Sequence, residues 1–556
     1  MRITTKVIQN NSLRNINTNK LLQDKLSQQM STEKKINRPS DDPIIAIRAL
    51  RLRTNVNQIT QYYEKNVPDA ESWLEVTEGA LASMSDVITD MYDKCVKGSN
   101  EDLKLEDRKI ILTALEALRD EVYATGNSDY AGRYVFTGYR TDTPLTFIDD
   151  TKKLFEITEQ LDAGKIDSVT YVDSGNILDI NDTNFKVETT DQNGDTTVTP
   201  HSSEYDVKAT EVHRIRLAYD EVAAAVPKIE VWNENKQRVD AEGNLMFDDQ
   251  NNPVMGDYDD LANVMGINPA TDLYKTVSIY DGTDPYEEIN QTANDNKIIM
   301  VKETGELLLG KNVYDKLINI KDNALTNAKE GEIRITYSKE EWKEGDLKPE
   351  HYFRCETTTD DGRPLEYNGD YLLGISDEDK QTIEYDVGLN QTIRVNTTAD
   401  EVFLHDIGRD VDDLIRSMED SIKMEEQVLE LEKLLEKYTD PQDQEMIQKD
   451  LDAANKALVY LKEKTQKLFE GGMTKMQGHL DVLNFAVTEN GTRGQKLELI
   501  SNRLMSQKTN FETLKSENED IDITDVAIKL SSAELTYSSA LMATGKVLQN
   551  SLMNFI

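Results

Sequence analysis

The chain lacks almost everything that would mark an enzyme, a disulfide scaffold or a membrane protein. It has two cysteines in 556 residues, Cys95 and Cys355, far apart and in no CxxC or metal-spaced set. That pair supports neither a disulfide framework nor a cysteine zinc site. The five histidines, His201, His213, His351, His405 and His479, are scattered without HExxH or HxH spacing. They read as solvated or core residues rather than ligands. No P-loop, GxGxxG or GxSxG occurs. No run approaches 18 apolar residues, so no membrane-spanning helix is expected. The opening MRITTKVIQNNSLRNINTNK has no apolar h-region, so no Sec-type signal peptide is expected. Basic residues are scarce too, 63 Lys and Arg against 104 Asp and Glu, for a net charge of −41. Such a balance argues against general binding to nucleic acid or anionic membranes, which needs excess Lys and Arg.

What is present is helical periodicity. From Ile45 to Met91, apolar and small positions step by 4 and 3 without a slip: Ile45, Ala49, Leu52, Val56, Ile59, Tyr63, Asn66, Ala70, Trp73, Thr77, Ala80, Met84, Val87, Met91. A period of 3.5 residues held this long is a coiled-coil seam. At 1.5 Å per residue it makes a rod of roughly 70 Å, which needs a partner along its length. Pro68 lies inside the stripe and predicts a kink, or a short break with a restart at Asp69. Upstream, residues 1–36 predict a helix of modest stability with apolar spots at Leu13, Ile16, Leu22, Leu26 and Met30. Asn37–Pro43 follows, with Asp42 placed to cap and Pro43 suited to a first helical turn. Two readings stay open for it: a plain linker, or a sharp corner that sets how a terminal helix meets its neighbours.

Gly98-Ser99-Asn100 ends the long helix, and a second helix over Leu103–Ala124 carries Ile111, Leu115, Leu118 and Val122 on one face. The short loop predicts an antiparallel pair. Arg133–Tyr139 reads as a strand, being aromatic and β-branched. Residues 145–400 hold short strand candidates with hairpin-type turns at Asn193-Gly194, Glu242-Gly243-Asn244, Asp361-Gly362 and Asn368-Gly369. One helix is expected over Ala209–Ala225, and a hairpin over Ile383–Val395. Asp191-x-Asn193-x-Asp195 resembles the start of a calcium loop, but Thr196 stands where Gly is needed and no Glu closes it. The hairpin reading is preferred there. Beyond Ile407 the chain is helical and charged, with Val428, Leu431, Leu435, Leu451, Leu458 and Leu461 predicting a helical hairpin about Pro441. Helix resumes over 476–485 and 495–517. The tail from Thr524 again steps by 4 and 3 through Val526, Leu530, Ala533, Tyr537, Ala540, Thr544 and Val547. Charge follows the same division. Residues 1–66 carry +7 and 490–556 carry −1, leaving −47 for a solvated acidic middle.

Four segments carry a resemblance: MRITT at the start, STEKKINRPSDDPIIA (31–46), GRYVFTGYRTDTPLTF (132–147) and SLMNFI at the end. With YNGD (367–370), IEYDVGLNQTIRVNTTADEVF (383–403) and the C-terminal DVAIKLSSAELTYSSALMATGKVLQ, they are similar to the hook-associated protein 3 family. These are the flagellin-related junction proteins of the bacterial flagellum. The likeness covers about 150 residues at each end. Residues 150–365 carry no signature of that family, and 425–470 look like an insertion.

The resemblance implies a multidomain α plus β fold. Long flagellin-like helical rods come from the N- and C-terminal segments, around a β-rich inserted outer domain. It implies an axial helix and corner over 1–43, disordered as a monomer, and a rod part over 44–145. It further implies a β-rich outer domain over 146–400, a second rod part with a charged hairpin over 401–523, and an axial helix over 524–556. The implied function is structural, not enzymatic, with no cofactor or metal: an adaptor joining the hook, through the first hook-associated protein, to flagellin. A flagellin filament subunit is the alternative. Self-association in a ring, a flagellar export chaperone, and type III export to the extracellular flagellum without a cleaved signal peptide are implied as well. The expected assembly positions are Leu22, Leu26 and Met30 against Val526, Leu530, Ala533, Tyr537 and Ala540.

Overall fold

The computed structural model describes residues 5–553 apart from 101, 175–176, 192–193, 202–206, 240–243, 248–249, 268–272, 280–283, 321–330, 360, 370 and 372–380. Four helices open the chain: α1 (Thr5–Thr32), α2 (Pro43–Gln61), α3 (Val67–Gly98) and α4 (Leu105–Ala124). Two-residue strands β1 (Asp129–Tyr130) and β2 (Arg133–Tyr134) follow, then β3 (Thr151–Leu161), β4 (Ile166–Asp173), β5 (Lys186–Thr190) and β6 (Thr196–Pro200). Next are β7 (Lys208–Arg216), β8 (Lys228–Gln237), β9 (Met255–Asp260), the short α5 (Leu261–Met265), β10 (Tyr274–Val277) and the short α6 (Pro285–Ile289). Then come β11 (Ile298–Val301), β12 (Glu306–Leu309), α7 (Lys311–Leu317), β13 (Ile333–Trp342), β14 (Arg354–Thr358) and β15 (Pro364–Tyr367). The chain closes with β16 (Glu384–Gly388), β17 (Gln391–Arg394), the single turn α8 (Ala399–Val402), α9 (His405–Lys437), α10 (Pro441–Glu519) and α11 (Ile523–Met553).

Two compact units result. The first gathers Met1–Ser72, Glu384–Arg394 and Arg493–Ile556. At the start of α2, the Asp42 carboxylate accepts from Ile44 N at 3.0 Å and Ile45 N at 3.2 Å, with Pro43 in the first turn. This is an N-cap satisfying donors that the helix cannot. The stripe positions Ala49, Val56, Ile59 and Ala70 are buried in this unit. The helix does not break at Pro68. A π turn spans Tyr62–Asn66, and Val67 N–H donates to Tyr62 O, five residues back. Such a turn absorbs a proline that has no N–H to give. The expected Ile383–Val395 hairpin forms as antiparallel β16 and β17. It sits against the π turn, where Asn66 Nδ2 donates to Asp386 O at 2.7 Å and the Tyr385 hydroxyl donates to Asp69.

The second unit holds Trp73–Ile383 and Val395–Thr492. Here the stripe continues through buried Trp73, Thr77, Ala80, Met84, Val87 and Met91, widened by Leu74, Leu81, Ile88 and Cys95. One sheet runs β15-β14-β3-β13-β8-β9, antiparallel throughout; the other runs β10-β11-β12-β7-β4, with only β10 and β11 parallel. Asp361-Gly362 turns between β14 and β15, Gly362 at φ +76°. β5 and β6 pair about Gly194 at φ +86°, while Asn193 and Glu242-Gly243 lie outside the described residues.

Four expectations are corrected. Only Arg133–Tyr134 of the 133–139 run is strand. Phe136 instead turns inward, 4.9 Å edge-on to Phe403, its carbonyl accepts from Ala399 N, and Gly138 bends at φ +61°. The segment 209–225 is strand β7 and then a buried loop, because β12 and β4 pair with both its edges and override its local helix preference. Among the described residues Asn368-Gly369 joins no two paired strands; Asn368, at φ +51°, donates through Nδ2 to Glu350 O and Phe353 O. Residues 441–519 form one continuous helix, so the segments expected over 476–485 and 495–517 are not separate. Gly472 within it has a packing reason. A side chain there would meet Cys95 Sγ at 3.2 Å and Leu414 at 3.3 Å, so glycine permits close helix approach.

The charged hairpin of α9 and α10 buries an apolar stripe after all. Met424, Val428, Leu431, Leu434, Ile447, Leu451 and Leu458 pack with Val172, Ile177, Ile180, Phe185 and Val207 from the strand region. Deeper along α9 the contact is ionic. Arg214 on β7 donates to Asp413 at 2.5 and 3.1 Å and to Asp167 at 2.9 Å, and lies 3.0 Å from Glu306. Arg216 donates to Asp413 at 2.9 Å and Asp410 at 2.6 Å. Arg416 lies 2.9 Å from both Glu306 and Asp413. Lys475 and His479 on α10 reach Asp410 at 2.8 and 3.1 Å. Burial alone would raise the carboxyls of Asp410 and Asp413. Their partners override it and hold both well below the usual carboxylate range: a hydrogen bond from His479 with the cations Arg216 and Lys475 about Asp410, and Arg214, Arg216 and Arg416 about Asp413.

Two stability predictions follow from this unit. The depressed carboxyls bind fewer protons folded than unfolded, so their contribution is complete above about pH 4 and is lost as pH falls below it. Asp413→Ala removes a carboxylate shared by three guanidinium groups and should cost about 3–5 kcal/mol, read by urea unfolding. Glu159 works the other way. Burial pushes its carboxyl up from 4.5 to about 7, against hydrogen bonds from Tyr337 and Ala218 N. Folded protein therefore binds more protons between those values, and stability falls as pH rises through them. Both hydrogen bonds land on Oε1, which Gln retains. Glu159→Gln should flatten that slope and stabilise the unit at pH 8 by up to about 3 kcal/mol.

Candidate functional site

The residues expected to make contacts beyond one chain lie at the paired termini, in the first unit. α1 packs on α11 through Leu26, Val526 and Ala533, flanked by half-buried Ile521 and Leu530. Tyr537 and Ala540 continue the α11 row and are half-buried. Leu22 and Met30 are not gathered into this seam: they stay 47% and 41% exposed. Other apolar side chains also face solvent, Leu13 and Leu21 on α1 and Ile528, Leu535 and Met542 on α11. The pair thus has one shared seam and open apolar faces, which on a soluble surface mark contact sites.

The turn after α1 is stitched to the end of α10. Lys35 N donates to Glu519 O at 2.7 Å, and Ile521 N donates to Glu33 O at 3.1 Å. Glu33 takes φ +58° to make that approach. Lys34 pairs with Asp520 at 2.5 Å, and Arg53 on α2 grips Glu519 through two bonds of 2.7 Å. Asn518 Nδ2 reaches Ile45 O at 3.2 Å. Glu519 is only 3% exposed, and its bonds raise the Arg53 pKa. Asp41 accepts from Arg38 N at 2.9 Å and Asn37 N at 3.1 Å, and these bonds lower its pKa. Asn37–Pro43 is therefore a built corner rather than a slack linker. Its ionic partners at 517–520 went unnamed in the sequence. The available signal was the +7 charge of residues 1–66 facing an acidic cluster at the end of α10.

Elsewhere the titratable groups are structural in character. Burial pushes the thiols of Cys95 and Cys355 up to about 12 and the imidazoles of His351 and His405 down to about 3. The cysteines thus stay protonated and these histidines neutral at ordinary pH. Among the described residues no group of three His, Cys, Asp or Glu is placed to hold a metal, and no helix is long and apolar enough to cross a membrane.

Residues 3–141, which include α1 and α2 of this corner, match the family described as bacterial flagellin N-terminal helical region. More particularly, the chain is similar to flagellar hook-associated protein 3 of Escherichia coli (strain K12). The two are 32% identical over 170 residues, which is 30% of this chain and 53% of the relative. The Salmonella typhimurium protein of the same name is 34% identical over 143 residues, 26% of this chain and 45% of that one. The chain thus spans about half the length of the curated relatives it matches. Flagellar hook associated protein-3 from Legionella pneumophila, a solved structure, aligns over 84% of this chain and 97% of its own, at 11% identity and a TM-score of 0.29.

The corner is directly testable. Glu519→Ala removes the acceptor of Arg53, a partner that is itself half exposed. Amide exchange across residues 33–42 should quicken about tenfold, the yield of one partly screened charged pair. Unchanged protection there would show that the corner holds without it.

Proposed function

We propose that this chain is a structural protein of the bacterial flagellum, an adaptor joining the hook, through the first hook-associated protein, to the flagellin filament. The similarity to two hook-associated proteins 3 carries this reading, and the open apolar faces of the α1–α11 pair support it. In this reading Leu22, Leu26, Met30, Val526, Leu530, Ala533, Tyr537 and Ala540 form the assembly interface, and copies associate in a ring. Segments 1–43 and 524–556 act as the axial layer, 44–145 and 401–523 as rod parts, and 146–400 as the outer domain. An export chaperone delivers the chain, without a cleaved signal peptide, to the extracellular flagellum. Ordering the termini costs conformational entropy that assembly contacts offset.

A flagellin filament subunit is the second reading, favoured by the family match over residues 3–141. Polymerisation distinguishes the two. Purified adaptor should not grow long filaments unaided, whereas a flagellin should. Deleting residues 524–556 should leave the strand region folded by circular dichroism and abolish seating at the hook tip. A truncated protein that still seats there would contradict the assignment of the interface.

A further inference from the structure

A cavity of about 160 Å³ opens in the second unit where the α3–α4 loop meets α9 and α10. Gly98, Asn100, Arg108, Met418, Lys462 and Thr465 line it. At about 30 Å³ per water, it has room for roughly five waters, enough for a small polyatomic ion. Arg108, in the first turn of α4, is only 5% exposed. Its Nη1 donates to Ser421 Oγ at 2.7 Å and to Glu425 Oε2 at 3.3 Å. Among the described residues its Nε and Nη2 take no hydrogen bond. Lys462 Nζ also leans on Glu425, at 3.3 Å. One carboxylate therefore answers two cations. Glu463, the acidic residue on the lining itself, is exposed to solvent.

Comparison with Arg214 sharpens the point. Arg214, as deeply buried, meets three carboxylates that raise its pKa despite burial. Arg108 is moved down, because burial outweighs its one carboxylate, Glu425. A buried guanidinium with two donors that no protein group takes has room for a further acceptor beside its one carboxylate.

We propose that this cavity binds a small oxyanion, a carboxylate or a phosphate-like ion, through Arg108 and Lys462. The planar fork of Arg108 suits two oxygens of one ligand, and Lys462 adds a point charge beside it. Neither group belongs to the terminal helices, so the inference stands apart from the proposed function.

Thermal unfolding and calorimetric titration of the full chain test it, with sodium phosphate and sodium acetate as probes against sodium chloride at equal ionic strength. Phosphate or acetate should raise the melting temperature beyond chloride and bind with one-to-one stoichiometry. A larger acetate response assigns the site to carboxylates, and a larger phosphate response to tetrahedral ions; both support it. Arg108→Met should weaken binding about tenfold or more and remove the thermal response, since charged hydrogen bonds are lost. Lys462→Gln, at a partly exposed position where folding is not at stake, should weaken binding several-fold and decides the matter if Arg108→Met fails to fold. Equal responses to all three salts, or variants that bind as the parent does, would overturn the proposal.

Discussion

The second unit depends on how α9 is held. Its inward face carries Asp410, Asp413 and Arg416, and a neighbouring sheet presents Arg214, Arg216, Asp167 and Glu306. Desolvating charges is expensive, and a buried pair offsets that cost only with close geometry and full hydrogen bonding. Here three arginines and Lys475 meet four carboxylates in one network, and Tyr286 donates to Glu306 Oε2 at 2.7 Å. A charge network of this kind fixes register, because sliding α9 by one turn would take Asp410, Asp413 and Arg416 away from Arg214, Arg216 and Glu306 on the strands. The other faces of α9 then follow. Arg119 on α4 pairs with Asp412 at 2.9 Å, the Tyr123 hydroxyl accepts from Gly408 N and donates to Leu404 O, and Ser417 bonds Thr465 on α10.

Within that frame the acidic composition has a division of labour. Most of the carboxylates stay in water and keep the chain soluble. A few are drawn inside: Asp410, Asp413 and Glu306 meet arginine or lysine, and Glu159 is held by Tyr337 and Ala218 N. The hairpin tip of α9 and α10 changes strategy, holding 172–207 by aliphatic packing and leaving its salt bridges, Lys437 to Asp182 and Lys186 to Asp443, at the rim. Rim pairs contribute little. The aliphatic stripe therefore does most of the holding there.

Sequence periodicity made the helices legible, since a stripe with a 3.5-residue period leaves few alternatives. The Ile45–Met91 seam, the Asp42 cap, the Ile383–Val395 hairpin and the heptads of α11 all appear where the pattern put them. Legibility failed where partners distant in sequence decide the outcome. Residues 209–216 carry a helix-compatible composition, yet two flanking strands make them β7. Residues 476–485 and 495–517 read as separate helices, yet they belong to one continuous α10, in which Gly472 packs close to Cys95 and Leu414. At the candidate site, the hydrophobic seam was readable from spacing, but Arg53–Glu519 joins residues 466 apart and no local pattern marks it. Leu22 and Met30 share the helix of Leu26 but not its burial, because the chain supplies no third wall to cover them.

The central claim is that the chain sits at one place in a flagellum. Electron microscopy of flagella decorated with antibody against residues 150–400 tests it most directly. The account predicts label confined to a single band at the hook–filament boundary. Label distributed along the filament, or absent from flagella altogether, would contradict it.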